Sequence, residues 1–173
     1  MSSMTASNPA TSCRIGLGYD IHKTGPGDHV WLGGVRIEAP FSLVGHSDAD
    51  VLLHAVTDAI LGALGDADIG HYFPPSDEQN RNRKSSDFVR FAAERMRSAG
   101  YGIGNVDCNI ICELPRISPV RDAIIESLAQ LIGASVGQVS VKGRTNEKQD
   151  SVGEGRAVVC QAIVLLTPVQ QSV

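Results

Sequence analysis

Asp20 and His22 stand two residues apart at the end of an apolar run, and His54 opens a helical pattern just after His46-Ser47-Asp48-Ala49-Asp50. Side chains at i and i+2 of a β-strand project from one face, so one carboxylate and one imidazole can reach the same ion, with His54 as a third ligand from a helix. Three N/O ligands without a thiolate suit Zn²⁺ in a catalytic site, because a fourth tetrahedral position stays open to water or a substrate oxygen. The triplet is equally compatible with a polar strand end beside a surface histidine, and spacing alone does not choose.

A second constellation is Lys142-Gly143-Arg144-Thr145-Asn146-Glu147-Lys148, directly after a strand pattern, with Gly153-Glu154-Gly155 a few residues on. Small residues let backbone N–H groups approach phosphate oxygens, Thr145 offers a hydroxyl and the cations supply charge. Glu147 in that basic setting suits a divalent cation such as Mg²⁺ held against phosphates. A solvated, charged loop ending a strand is the other reading.

The elements that must position these groups follow from periodicity. Cys13 to Ile21 predicts a strand, and Val30 to Ile37 a second with Gly33-Gly34 as a bend or bulge within it. A helix is predicted from about Asp48 to Leu64, capped by Ser47 or Asp48 and closed by Gly65. Its stripe is Leu52, Ala55, Val56, Ala59, Ile60 and Ala63, with Asp50, His54, Thr57 and Asp58 opposite, so His54 faces water or a site. The connection from Asp66 to Lys84 has the length of a lid or binding loop. A second helix runs to Ser98 from a Ser85 or Ser86 cap. A strand follows over Asn105 to Cys112, then a third helix from Ser118-Pro119 to Leu131, and strands at Val139 to Lys142 and Ala157 to Leu166. This order predicts an α/β fold: a two-layer sandwich in which helices cover one face of a small mixed β-sheet.

With 173 residues, 42% of them apolar and 20% charged, the chain fits one globular domain over 13–168, with a flexible extension at 1–12 and a tail at 169–173. The net charge of −4 gives no basic excess for nucleic acid, and no apolar run approaches the length of a membrane span. Residues 1–12 lack both the apolar core of a signal peptide and the arginines of a transit peptide, which reads as a cytoplasmic protein. Cys13, Cys108, Cys112 and Cys160 show no CxxC spacing and read as buried free thiols.

Taken together, the motifs resemble the 2-C-methyl-D-erythritol 2,4-cyclodiphosphate synthase family over roughly Arg14 to Leu166. The resemblance rests on Arg14-Ile-Gly-x-Gly-Tyr-Asp20-x-His22, Leu32-Gly-Gly-Val-Arg-Ile37, His46-Ser-Asp-Ala-Asp50 with His54, and Thr57-Asp58-Ala59 with Gly62-Ala63. Asp68-Ile-Gly70, Phe73-Pro74, Gly104-Asn-Val-Asp107 and Thr145-x-Glu147-Lys148 extend it.

This resemblance implies a zinc-binding Asp20, His22 and His54, and a Mg²⁺ or Mn²⁺ held by Glu147 against a diphosphate. The implied substrate is 4-diphosphocytidyl-2-C-methyl-D-erythritol 2-phosphate, closed to a cyclic diphosphate with release of CMP. His46 and Thr145 match positions of transition-state stabilisation, and Ser47 lies beside the phosphates. Asp68, Ile69 and Gly70, with Phe73, Pro74, Pro75, Ser76 and Asp77, match the segments around the methylerythritol. Cys112, Glu113, Leu114, Pro115, Arg116, Ile117 and Ser118 match the loop around cytosine, and Arg144 and Asn146 flank Thr145. The family is a homotrimer with active sites between subunits, so the chain is expected to assemble as a trimer.

Two departures stand out. The family usually has a longer glycine-rich loop with an Arg, whereas Gln149 to Val152 is shorter and carries Asp150, which puts the family's central-cavity ligand in doubt. Arg144 replaces a common Thr and could contact phosphate or point to solvent. The alternatives are a zinc-dependent hydrolase, whose metal would activate water, and a non-catalytic trimeric binding module.

Overall fold

The computed structural model describes residues 12–45, 47–74, 76–80 and 83–169. His46 and Pro75 therefore lie outside the described residues, as do the expected N-terminal extension and C-terminal tail apart from Ser12 and Val169.

A five-stranded mixed sheet is built from β1 (Arg14–Gly25), β4 (Ser42–Leu43), β5 (Tyr101–Ile111), β6 (Val139–Arg144) and β7 (Ala157–Pro168) in the order β4-β1-β7-β5-β6. Only the β5–β6 pair is parallel. Helices α1 (Val51–Leu64), α3 (Ser85–Ser98) and α4 (Arg121–Ile132) form the second layer, while α2 (Ile69–Tyr72) and α5 (Asp150–Gly153) are single turns. The core between the layers takes Val106, Cys108 and Ile110 from β5 and Val158, Cys160, Ala162, Val164 and Leu166 from β7, which alternate with outward residues as the pleat requires. No helix among the described residues is long and apolar enough to cross a membrane.

Several elements differ from the sequence reading. Val30 to Ile37 is a hairpin, β2 (His29–Leu32) and β3 (Val35–Glu38), separate from the main sheet. Gly33 and Gly34 both have positive φ (64° and 80°), as a two-residue turn matching strand twist demands. Helix α1 begins later than expected: its cap is Asp50, and Ala49 at φ 56° breaks any helix over Ser47 and Asp48. Asp50 and Thr57 are fully buried rather than on a solvated face. Ser85 is the first residue of α3 and makes no cap bond, while α4 is preceded by a 3₁₀ turn, Ser118–Val120, without a side-chain cap. Strand β1 continues past Ile21 to Gly25, which keeps Asp20 and His22 in regular extended backbone.

The row Gly16, Gly18, Asp20, His22 on the inner face of β1 explains how the site is assembled. A Cβ at Gly16 or Gly18 would stand 1.8 Å from the carbonyl oxygen of Ala59 or Ala55 respectively. Helix α1 thus lies directly on the strand backbone, its small residues Ala55, Ala59 and Ala63 buried against it. The helix runs antiparallel to β1, so its first turn, with His54, comes down where the glycines give way to Asp20 and His22. Asp50 fixes that end, accepting from Leu53 N–H (3.0 Å) and from Gly33 and Gly34 N–H (2.9 and 2.7 Å). One buried carboxylate thereby ties the hairpin turn to the helix.

Candidate functional site

Asp20, His22 and His54 converge as the sequence predicts, with one ligand atom from each lying within 4.8 Å of the others. Asp20 Oδ2 is 3.0 Å from His22 Nδ1 and 2.9 Å from His54 Nδ1, and the two imidazole centroids are 5.1 Å apart. Both histidine side chains are 13% exposed and Asp20 25%, so the group sits in a low-dielectric pocket open on one side. Burial raises the Asp20 carboxyl, but the two adjacent imidazoles outweigh it and hold the group well below the usual carboxylate range.

The donor set fits a Zn²⁺ ion. His22 Nδ1 is buried and makes no hydrogen bond although Asp20 Oδ2 is only 3.0 Å away, so an unpartnered nitrogen lies beside a carboxylate oxygen without being aimed at it. A cation between them satisfies both groups. Gly45 permits this ring position, since a Cβ there would come within 3.0 Å of His22 Nε2. The thiols offer no competing site: burial pushes Cys108 and Cys112 up to about 12 and raises Cys160 well above the usual thiol range, and all four cysteines are free, with Cys13 exposed rather than buried.

Behind His54 lies a polar chain that sequence reasoning missed. Its Nε2 is 2.9 Å from Ser85 Oγ and 3.3 Å from Ser47 Oγ. The Ser85 hydroxyl donates to Asp48 Oδ1, and the Ser85 N–H donates to both Asp48 oxygens (3.2 and 3.1 Å). Asp58, one turn along α1 from His54, was also missed as a site support. It accepts from Ile69 N–H at 2.8 Å and so sets the start of α2 beside the Asp20, His22 and His54 cluster. Burial raises its carboxyl, partly offset by that bond.

These groups edge a cleft of about 820 Å³ lined by His22, Ser47, His54, Ile69, Gly70 and Phe73 among others. Phe73 packs on Phe88 and Phe91 with Arg83 above its ring. Asp68 caps α2 through His71 N–H, Pro74 O accepts from Asn80 Nδ2, and Ser76 and Asp77 are exposed beyond the cleft. Lys23, Ser151 and Arg156 also line it and were not anticipated.

The other expected residues gather elsewhere. Cys112, Glu113, Pro115, Arg116, Ile117 and Ser118 line a separate cleft of about 570 Å³ with Arg144 and Thr145, and Leu114 precedes a cis Pro115. This cleft shares no lining residue with the cleft beside His54. Glu113 Oε1 accepts from the N–H groups of Asn146 (3.2 Å) and Lys148 (3.5 Å), joining the two loops. Glu147 is exposed at φ 51°, outside the Asp20 cluster. Arg144 is exposed, and its carbonyl accepts from Cys112 N–H. In the short loop, Asp150 braces α5 by accepting from Val152 N–H and from Asn146 Nδ2.

Comparison with known proteins places this geometry. A 2-C-methyl-D-erythritol 2,4-cyclodiphosphate synthase of Cereibacter sphaeroides is 47% identical over 88% of the chain and 96% of its own length. A bifunctional IspD/IspF enzyme of Erythrobacter litoralis is 50% identical over 86% of the chain, which spans only 39% of that longer protein. Among solved structures, IspF of Plasmodium falciparum in a CDP complex superimposes with a TM-score of 0.81 at 41% identity, covering 91% of this chain and 97% of the other. A family model described as the YgbB family matches residues 13–167. The chain belongs to the YgbB family, whose matched members include the 2-C-methyl-D-erythritol 2,4-cyclodiphosphate synthases.

Proposed function

We propose that the chain is a cyclising phosphorus–oxygen lyase acting in isoprenoid precursor biosynthesis. It converts 4-diphosphocytidyl-2-C-methyl-D-erythritol 2-phosphate to 2-C-methyl-D-erythritol 2,4-cyclodiphosphate and CMP. The observation that carries this reading is the Asp20, His22 and His54 cluster at the rim of a cleft, in a chain that matches such synthases over nearly their whole length. A 2-phosphate oxygen bonds to the β-phosphorus, the bond from that phosphorus to the bridging oxygen breaks, and CMP departs with the bridging oxygen. No protein nucleophile is required, so the protein's work is positioning and charge neutralisation.

Asp20, His22 and His54 would hold Zn²⁺, which would supply Lewis-acid polarisation of a diphosphate oxygen. Glu147 would hold Mg²⁺ or Mn²⁺ against the α- and β-phosphates. His46 and Thr145 would stabilise the transition state, with Ser47 beside the phosphates. Ile69, Gly70 and Phe73 offer the methylerythritol a wall with one polar edge, supported by their place in the metal cleft. The 112–118 loop would enclose cytosine, in keeping with the CDP complex of the Plasmodium falciparum protein.

The separation of the two clefts supports a homotrimer in which each site joins the metal half of one subunit to the nucleotide half of another. So does the outer sheet face: Ile15, Leu17, Tyr19 and Ile21 are 72, 68, 53 and 45% exposed, and Leu17 pairs with the half-exposed Ile163 of β7. A contiguous apolar face of this kind is costly in water and suits burial at a threefold axis.

The test is incubation of zinc-loaded protein with the cytidylylated substrate, following CMP and the ³¹P signals of the product with and without chelator. CMP with a cyclic diphosphate is the expected result. Linear products or inorganic phosphate would identify a hydrolase instead, and no turnover with bound substrate a binding module.

A further inference from the structure

The hydrogen-bond directions behind His54 are determined by counting protons. The Asp48 carboxylate can only accept, and it lies within reach of both the backbone N–H and the hydroxyl of Ser85. The single Ser85 hydroxyl proton is therefore committed to Asp48. Its oxygen is left as an acceptor 2.9 Å from His54 Nε2, so that nitrogen must carry the proton of the contact. Ser47 agrees with this assignment: its oxygen accepts from Ala49 N–H at 3.1 Å, and its own proton is free to go to Ser85 Oγ at 3.3 Å. On the far side of the ring Nδ1 lies 2.9 Å from the accepting Asp20 Oδ2, so with the Nε2 proton committed to Ser85 it is Nδ1 that would give up any proton and offer its lone pair to a cation bound in the cluster.

From this geometry we propose that Ser85 and Asp48 are positioning residues for the metal centre. They commit the Nε2 proton of His54 away from the site, so that Nδ1 is the atom presented beside Asp20 and His22. The inference rests on the metal reading of that cluster and adds to it the groups that set the orientation and tautomer of one ligand. Ser85 reaches His54 through tertiary structure, being the first residue of α3, 31 positions along the chain and fully buried, and Asp48 acts on His54 only through Ser85. A hydroxyl at a helix start, buried and bonded to a carboxylate and an imidazole at once, is not needed for capping, since Asp48 already satisfies the Ser85 N–H. Outer partners of this kind raise ligand basicity and fix ring orientation, and their removal weakens metal binding about 10- to 100-fold.

The experiment uses the full chain with ring-¹⁵N-labelled histidine. In the zinc-loaded wild-type protein, ¹⁵N spectra should place the metal on His54 Nδ1, with an Nε2–H proton slow to exchange with water. In Ser85→Ala, which keeps Asp48 on the backbone N–H of α3, that proton should exchange rapidly. Its zinc dissociation constant, measured by competition with a chromophoric chelator, should rise about 10-fold or more. Asp48→Asn is the second variant and should weaken zinc as well. Circular dichroism of the apoproteins should be unchanged. Metal on Nε2 in the wild-type protein, or zinc affinity within twofold of wild type in both variants, overturns the inference. A wild-type protein that takes up no zinc overturns the metal reading and this inference with it, whereas zinc binding indifferent to Ser85 overturns the inference alone.

Discussion

Gly18 lies directly beneath Ala55: a Cβ at residue 18 would stand 1.8 Å from the Ala55 carbonyl oxygen, far closer than non-bonded carbon and oxygen can approach. The contact sets the height of α1 above β1, and with it the reach of His54 to Asp20. Gly18→Ala must lift the helix, and overpacking of a rigid backbone contact costs about 3 kcal/mol. Chemical denaturation should report that loss, and zinc affinity should fall with it. Gly62→Ala is the contrast, because a Cβ there meets nothing nearer than Leu17 O at 4.0 Å within a helix. It should leave zinc binding intact and stabilise by up to about 1 kcal/mol.

Asp50 belongs to the same acidic motif as Asp48 yet does different work. Its buried carboxylate accepts three backbone N–H groups, two of them from the Gly33-Gly34 turn. Asp50→Ala strands those donors, at about 1–3 kcal/mol for each buried group left unpaired. Even Asp50→Asn turns an NH₂ toward at least one N–H donor. Both variants should lower the denaturation midpoint, Ala more than Asn, and an unchanged midpoint in Ala would deny Asp50 its structural part.

What was legible in the sequence divides along the range of the interactions. The period of α1, its Gly65 end and the shared face of Asp20 and His22 depend on neighbours in the chain, and these were readable. The cap of α1 was misplaced because Asp50 draws two of its donors from 16 and 17 residues away, across a turn read as a bend. Gly33-Gly34 between two apolar runs was a readable hairpin signal all the same. Ser85 looked like a cap because it is a serine at a helix start. Its partners, Asp48 and His54, are tertiary, and no local pattern announces them. The glycines of β1 read as part of a motif, while their physical reason, a helix backbone in contact, appears only in the fold.

The cysteines give a simple check on burial. Cys108, Cys112 and Cys160 are buried thiols held protonated, whereas Cys13 is exposed ahead of β1. Iodoacetamide at neutral pH should alkylate Cys13 in the native protein and all four cysteines after denaturation, as read by mass spectrometry. Native labelling of Cys160 would contradict the packing of β7 against α1.

His54→Ala and Asp20→Asn should each lose zinc and turnover, because an open site with a small ligand set cannot spare one. The core of α1 is formed by other residues, so both variants should keep the wild-type circular dichroism and assembly state. Metal analysis after gel filtration separates the two effects. Stoichiometric zinc with normal turnover in either variant would remove the cluster from the mechanism.

The division of the expected residues between two clefts leads to the sharpest test of assembly. His54→Ala damages the half around Asp20 and His22, and Glu147→Gln, which keeps size but removes charge, alters the loop that Glu113 ties to the 112–118 segment through the Asn146 and Lys148 N–H groups. Glu147→Gln alone should retain zinc while its turnover falls and its demand for Mg²⁺ rises. If each site is shared between subunits, co-refolding the two impaired variants produces mixed trimers in which some interfaces pair two intact halves. Activity should then exceed that of either parent, and the same proteins mixed without refolding serve as the control for subunit exchange. Mixed trimers verified by mass spectrometry but still inactive would mean that one chain must supply both halves, and the shared site would have to be abandoned.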